Sequence, residues 1–208
     1  QQLINKANSK IAIVVGDGVS WEFAHEILNF MPEYHKSLQK EFMYAGLPSE
    51  TEHNMSLLYV DSGEIISSKK KREELLSSNN KDTNLKLLDL DKYKVSDDAD
   101  ILICSIKDPD KLGESHQQNA LKHFSTVAEL YSKKIQQLLE NGYEVHLITD
   151  HGYTLTGILE ESDKIEVNFD GKVDKHERFI RTVDKQFLEK DLLVERGLAY
   201  KEFNFIYF

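Results

Sequence analysis

Three short strand-like segments constrain the fold of this chain more than any other feature. They are residues 10–16, 99–105 and 144–149, and the first is a continuous apolar run. Such a run is typical of a strand buried on both faces, as in a parallel sheet. Helical patterns follow these segments or lie between them, at residues 21–30, 51–58 and 116–141. Strands that alternate with helices predict an α/β fold with a mainly parallel sheet flanked by helices.

The length favours a single domain over residues 1–208. A chain of 208 residues can bury a sizeable core. Because it does not begin with Met, we expect it to be part of a longer protein. Residues 67–94 are strongly polar, and we interpret them as a loop or small insertion with a helical piece near 70–77. Residues 164–173 and 177–183 suggest a hairpin, and 201–208 suggest a further strand.

Composition excludes several classes of protein. The chain has 26 basic and 36 acidic residues and a formal net charge of −10, which argues against broad coating of DNA. A local phosphate site, and with it some contact to nucleic acid, stays open. No apolar run approaches the ~18 residues of a membrane helix, so no membrane partner is expected. Cys104 stands alone, which excludes an intramolecular disulfide framework and fits a reducing compartment, so we expect a cytoplasmic protein.

Acidic residues follow each of the three strand-like segments. Asp17 comes after the first, the segment Asp108-Pro109-Asp110 after the second, and Asp150-His151 after the third. Carboxyl ends of parallel strands meet at one edge of a sheet, where ligand sites of such folds lie. Crowded carboxylates repel one another unless a cation neutralises them, and Asp with His suits Zn²⁺ or Mn²⁺ better than Ca²⁺. The sequence therefore predicts a cation site at this edge.

The order of these motifs resembles a known family. The resemblance rests on three segments: Val15-Gly16-Asp17-Gly18-Val19-Ser20, Leu47-Pro48-Ser49-Glu50-Thr51, and Ile148-Thr149-Asp150-His151-Gly152-Tyr153. They resemble the alkaline phosphatase superfamily and, within it, the PglZ domain, which is named for a phage-resistance protein. The resemblance covers residues 10 to about 182. It implies an alkaline-phosphatase-like core and a metal-dependent phosphoesterase.

The resemblance assigns roles to individual residues. Asp17, Thr51, Asp150 and His151 would hold one divalent metal, and Thr51 would be the nucleophile. A threonine hydroxyl is a poor nucleophile, so it needs a metal to lower its pKa. The alternative is that Thr51 only caps a helix.

A second metal would be held by Asp110, Glu114 and His176. The superfamily often has His where this chain has Glu114. The alternatives are a solvated acidic turn for Asp110 and a surface hairpin position for His176, with Asp108 as a substitute ligand. Arg178 would contact a phosphate oxygen, or else lie exposed on a strand.

The implied function is hydrolysis of a phosphodiester or nucleotide phosphate with two divalent ions, Zn²⁺ or alternatively Mn²⁺. The implied partners are a phosphate-bearing small molecule or nucleotide and proteins of a phage-defence complex such as a BREX system. A second interpretation is a catalytically weak module that acts as a scaffold in such a complex, which Glu114 favours. The run Lys69-Lys70-Lys71-Arg72 suggests either a contact to nucleotide phosphate or a solvated helix face.

Overall fold

The structure is a computed structural model. It describes residues 2–7, 9–41, 44–46, 49–60, 64–116, 121–152, 174–175, 179–181, 199–200 and 205–207. The chain divides into two compact units, residues 1–155 and 156–208. The expectation of a single domain over 1–208 therefore stays a prediction.

The described elements alternate between helix and strand through the first unit. The helices are α1 (Gln2–Lys6), α2 (Trp21–Asn29), α3 (Thr51–Val60), α4 (Lys69–Asn79), α5 (Asp108–His116) and α6 (Leu121–Glu140). The strands are β1 (Ile11–Gly16), β2 (Leu85–Asp89), β3 (Ile101–Ile106), β4 (Glu144–Thr149), β5 (Asp174–Lys175), β6 (Phe179–Arg181), β7 (Ala199–Tyr200) and β8 (Phe205–Tyr207). Short 3-10 turns lie at Pro32–Tyr34 and Leu90–Lys92. No helix among these residues is both long enough and apolar enough to cross a membrane.

The sheet of the first unit is entirely parallel and has the strand order β2-β3-β1-β4. Its register aligns Gly16 of β1 with Ile106 of β3 and with Thr149 of β4. The next residues, Asp17, Lys107 and Asp150, therefore leave the sheet side by side at one edge. The α/β class with a parallel sheet is confirmed.

Helices cover both faces of this sheet, which is why β1 is buried at all six positions. On one face Ala12 and Val14 pack in a cluster with α2 and α6. On the other face Ile11, Ile13 and Val15 cluster with residues of α1, α3 and α4. A central strand that contacts helices on both sides must be apolar throughout, as its sequence is.

Helix α2 covers most of the predicted helical segment 21–30 and begins after a capping residue. The Ser20 hydroxyl accepts a hydrogen bond from the Phe23 N–H at 3.2 Å, which is an N-cap. The buried residues are Phe23 and Ile27, one turn apart, whereas Trp21 is 54% exposed. Trp21 instead contacts the His25 ring edge to face at 4.7 Å.

Two elements of the sheet layer differ from the sequence prediction. Residues 67–94 are not only a polar loop or insertion, since they form α4 and then β2, the edge strand of the sheet. The helical piece expected near 70–77 is confirmed within α4. The acidic segment after β3 is the start of a helix, α5, rather than a turn. Pro109 suits this position because the first helical residues need no intrahelical N–H donor.

The second unit contains an antiparallel sheet with the order β5-β6-β8-β7. Strand β6 lies inside the predicted strand 177–183, and β8 lies inside 201–208. The predicted strand at 164–173, with its turn at Asp170-Gly171, lies outside the described residues.

Candidate metal centre

The site is built at the carboxyl edge of the parallel sheet in the first unit. Asp17 follows β1 directly, and Asp150 and His151 follow β4, the neighbouring strand. Thr51 is the first residue of α3, which packs on one face of β1. Four side chains from three distant parts of the sequence thus meet at one point.

Asp150 is held rigidly by backbone donors. Its Oδ1 atom accepts hydrogen bonds from the Gly18 N–H at 3.2 Å and the His151 N–H at 2.8 Å. The residue is 3% exposed, and Oδ2 is buried without a hydrogen-bond partner among the described residues. A buried carboxylate oxygen with no donor is costly, so it points to a cation as its partner.

His151 is oriented so that one ring nitrogen is available. Nδ1 lies 2.9 Å from the Gly152 carbonyl oxygen. A carbonyl can only accept, so Nδ1 carries the hydrogen and Nε2 of the neutral ring has a lone pair. Nε2 lies 2.9 Å from Thr51 Oγ1 and 3.4 Å from Asp150 Oδ2. A backbone carbonyl that fixes the tautomer in this way is the usual support of a metal-binding histidine.

Asp17 and Thr51 complete the group. The Thr51 hydroxyl lies 3.2 Å from Asp17 Oδ1, and His151 Nε2 lies 3.7 Å from the same oxygen. Thr51 has one hydroxyl proton, which it can donate either to Asp17 or to His151. Its contacts go beyond those of a helix cap, because both partners lie outside its own helix.

The distances in this group fit a bound ion. The ligand atoms of Asp17, Asp150 and His151 all lie within 4.8 Å of one another. Ligands about 2.0–2.2 Å from a tetrahedral ion stand about 3.3–3.6 Å apart. The separations of 3.2, 3.4 and 3.7 Å at this site lie close to that range. Two carboxylates, one imidazole and one hydroxyl are a donor set suited to Zn²⁺ or Mn²⁺.

The electrostatics lead to the same conclusion. Burial raises the pKa of Asp17, and the neighbouring Asp150 raises it further, while His151 opposes the rise. Burial is also the main cause of the raised pKa of Asp150. The charged forms of both carboxylates are therefore disfavoured in the metal-free protein, and a bound divalent cation would stabilise them.

The residues expected to hold a second metal are only partly described. Asp110 lies in the first turn of α5 and contacts Gly18, since a Cβ added to Gly18 would stand 3.0 Å from Asp110 Cβ. Glu114 belongs to α5, but its side chain lies outside the described residues, as do His176 and Arg178. The substitute ligand Asp108 accepts a hydrogen bond from the Tyr131 hydroxyl. Asp110 thus borders the first site, and the second site stays a prediction.

Sequence reasoning missed two residues at this edge. The Thr149 hydroxyl donates to the His151 carbonyl at 2.6 Å and accepts from the Val19 N–H at 3.2 Å, so it joins the loops after β4 and β1. Lys107 follows β3 in the same register at which Asp17 follows β1. The position of Lys107 directly after β3 could have predicted its place at this edge, as the position of Asp17 after β1 did.

The comparison with known families agrees with this geometry. A search of curated proteins finds no match to the chain. The family model described as "BREX system PglZ alkaline phosphatase-like domain" matches residues 1–197. That match takes in Asp17, Thr51, Asp150 and His151, as well as the whole parallel sheet. The chain belongs to the PglZ family of alkaline phosphatase-like domains.

Proposed function

We propose that this domain is a metal-dependent phosphoesterase with Thr51 as its nucleophile, acting on a phosphodiester or nucleotide phosphate in phage defence. One observation carries the proposal: Thr51 Oγ1 lies 2.9 Å from His151 Nε2 and 3.2 Å from Asp17 Oδ1. A threonine that only capped α3 would have no reason to face two ligating side chains across the sheet edge. Family membership supports the same class of chemistry.

Asp17, Asp150, His151 and Thr51 would hold the first ion. When bound, a divalent ion such as Zn²⁺ or Mn²⁺ lowers the pKa of a coordinated hydroxyl and attracts an anionic phosphoryl group. Asp110, with Glu114 and His176, would complete a second site. We infer a reducing, cytoplasmic setting from the single Cys104, which is buried.

The chain's own residues supply the positioning. The backbone N–H groups at the first turn of α3 form the positive end of the helix dipole, which suits an incoming phosphoryl group. Thr51 Oγ would attack phosphorus as the bond from phosphorus to the leaving oxygen breaks in line. The hydroxyl proton of Thr51 would pass to the Asp17 carboxylate or to solvent, since the lone pair of His151 Nε2 would bind the ion, and the departing oxygen would take a proton from water. Water would later cleave the phosphothreonine and regenerate the Thr51 hydroxyl.

The test is turnover of bis(4-nitrophenyl) phosphate and 4-nitrophenyl phosphate by the purified chain, with zinc and manganese content measured. Thr51→Ala is expected to lower kcat at least ~10³-fold, since the nucleophile is lost. Thr126→Ala, on the exposed side of α6, is the matched control and should keep full activity. Weak turnover that is the same in the wild type, in Thr51→Ala and in chelator-treated protein would contradict the proposal and favour the scaffold interpretation.

A further inference from the structure

A cleft opens beside the candidate metal centre. It has a volume of about 240 Å³, and Asp17 and Thr51 line it together with the cations Lys69, Arg72 and Lys107. Drug-sized ligands occupy pockets of about 300–1,000 Å³, so this cleft suits a small group rather than a large one. Its lining carries three cations and one carboxylate, in a protein whose net charge is −10. Asp89 and Glu73 pair with Lys69, so Arg72 and Lys107 are the cations of the lining that offer a positive charge to an anion.

Two of these cations are held in place by the first turn of α4 and its surroundings. Lys69 Nζ donates to Ser105 Oγ at 3.1 Å and lies 3.4 Å from both Asp89 Oδ1 and Glu73 Oε1. The guanidinium of Arg72 is buried, and its NH1 group donates to the carbonyls of residues 66 and 67 at 2.5 and 3.1 Å. Among the described residues, no acidic side chain pairs with Arg72. Its positive charge is thus fixed in the wall and left without an anion.

Among the cations that line the cleft, Lys107 is the one best suited to bind a ligand. It is half-buried, and no ion pair with a described acid includes it. Lys69 lines the same cleft, but its ammonium group is paired with Asp89 and Glu73. Lys107 is therefore the ammonium group of this lining that is best placed to bind an anion.

The residues that line the cleft indicate where the anion would bind. Thr51 and Asp17 belong to the candidate metal centre, where the reacting phosphoryl group would bind. Lys69 and Lys107 line the same cleft, next to that position. Buried Met55 and Tyr59 form an apolar part of the lining.

We propose that Lys107, with Lys69 beside it, binds a second phosphate group of the substrate. The substrate is then a compound with two neighbouring phosphates, such as a nucleoside diphosphate, rather than a simple monoester. Lysine binds phosphate as a point charge, and two ammonium groups with the fixed Arg72 charge match a multiply charged group better than a single carboxylate. The proposal rests on the proposed function, because the first phosphate is the one placed at Thr51.

The experiment measures binding, and each titrated sample is assayed for released adenosine so that turnover of the probes is excluded. Calorimetric titration compares α,β-methylene-ADP, which resists hydrolysis between its phosphates, with AMP, using the purified chain with Mn²⁺ present. The wild type is expected to bind the diphosphate analogue about 10-fold or more tightly than AMP. Lys107→Met should weaken binding of the analogue by about 10- to 100-fold and that of AMP by less than about threefold. Lys107→Arg should restore the preference.

The control is Lys70→Met, which removes an exposed lysine from the same turn of α4 and should change neither affinity. Equal binding of the two probes by the wild type would overturn the proposal, and this measurement stands even if Lys107→Met does not fold. An unchanged preference in folded Lys107→Met would overturn it as well. If the preference depends on Lys107 while Thr51→Ala keeps its turnover, the cleft assignment holds and the proposed hydrolysis fails.

Discussion

Replacing Asp150 by Asn tests the metal centre most directly, because it removes one charge and keeps the shape of the side chain. The amide oxygen of Asn can still accept from the Gly18 and His151 N–H groups, as Oδ1 of Asp150 does at 3.2 and 2.8 Å. The buried Oδ2, which has no hydrogen-bond partner among the described residues, becomes a neutral NH₂ group. Metal-free Asp150→Asn should therefore be at least as stable as the metal-free wild type.

Added metal should make the wild type more stable than Asp150→Asn. An ion at 100 times its Kd stabilises the folded state by about 2.7 kcal/mol, which raises Tm by about 5–11 °C in a chain of this size. Losing a ligand weakens binding at least as much as losing a supporting group, for which the effect is about 10- to 100-fold. At a 100-fold loss the same metal concentration gives about 0.4 kcal/mol, and Tm rises by about 1–2 °C.

The assay is thermal unfolding in chelator and then in increasing Zn²⁺ or Mn²⁺. Asp98→Asn is the matched control, because Asp98 is exposed and pairs with Lys10 at the surface, where such pairs contribute little. The control should respond to metal like the wild type. If metal raises the Tm of Asp150→Asn as much as that of the wild type, the ion does not bind at Asp150 and the reasoning fails.

Two further predictions concern the loop after β1 and the pH dependence of the site. Gly18 has a positive φ of 65° and donates to Asp150, so Gly18→Ala should cost about 1–2 kcal/mol, lower Tm by about 2–8 °C and weaken the metal response. Gly142→Ala has the same backbone problem at φ 79° with open space around it, so its Tm should fall while its metal response, followed by the same titration, stays normal. In chelator, the raised pKa values of Asp17 and Asp150 mean that the folded state binds more protons than the unfolded state between the ordinary pKa near 3.8 and the raised values. The destabilising effect of these carboxylates is full above the raised pKa values and shrinks as pH falls through them. The Tm advantage of Asp150→Asn should therefore narrow as the pH is lowered towards 3.8, and an advantage that is constant with pH would contradict this.

The elements that the sequence predicted well are those whose local pattern and tertiary role agree. Strand β1 is apolar throughout and is buried on both faces, so its pattern and its position give the same answer. The meeting of Asp17 with Asp150 followed from a rule about parallel strands, although 133 residues separate them. The contacts of Thr51 with Asp17 and His151 were implied by the family resemblance, because no local pattern shows where α3 packs.

The elements that it missed depend on contacts that no local pattern records. Strand β2 is an edge strand with only half-buried positions and an exposed Lys86, so it looked like a polar loop. Helix α5 starts with acids and a proline, which also suit a turn. Helix α2 buries Phe23 and Ile27 in the cluster that also contains residues of α6, whereas Trp21 of the same helix is exposed.

The basic run at the start of α4 shows how one pattern can support two interpretations at once. Lys70 and Lys71 are exposed, as a solvated helix face requires, whereas Arg72 is buried and Lys69 is half-buried. Lys69 and Arg72 are three residues apart and so share a face of the helix, while the residues between them point elsewhere. The sequence offered a solvated face or a phosphate contact as alternatives. The helix period separates the run into a solvated pair and a pair that lines the cleft.

The strand order explains how one edge of the sheet can carry both a cation site and a lysine that binds anions. β1 lies between β3 and β4, so the loop that carries Asp17 has Asp150 on one side and Lys107 on the other. Neighbouring strands are about 4.8 Å apart, which places the backbones of Asp150 and Lys107 about 10 Å from each other. That separation lets the β4 side place Asp150 at the cation while the β3 side places Lys107 in the cleft. A substrate phosphate chain lying across the end of β1 would then meet the metal side with one phosphate and the lysine side with the next, and Thr51 on α3 would face the first.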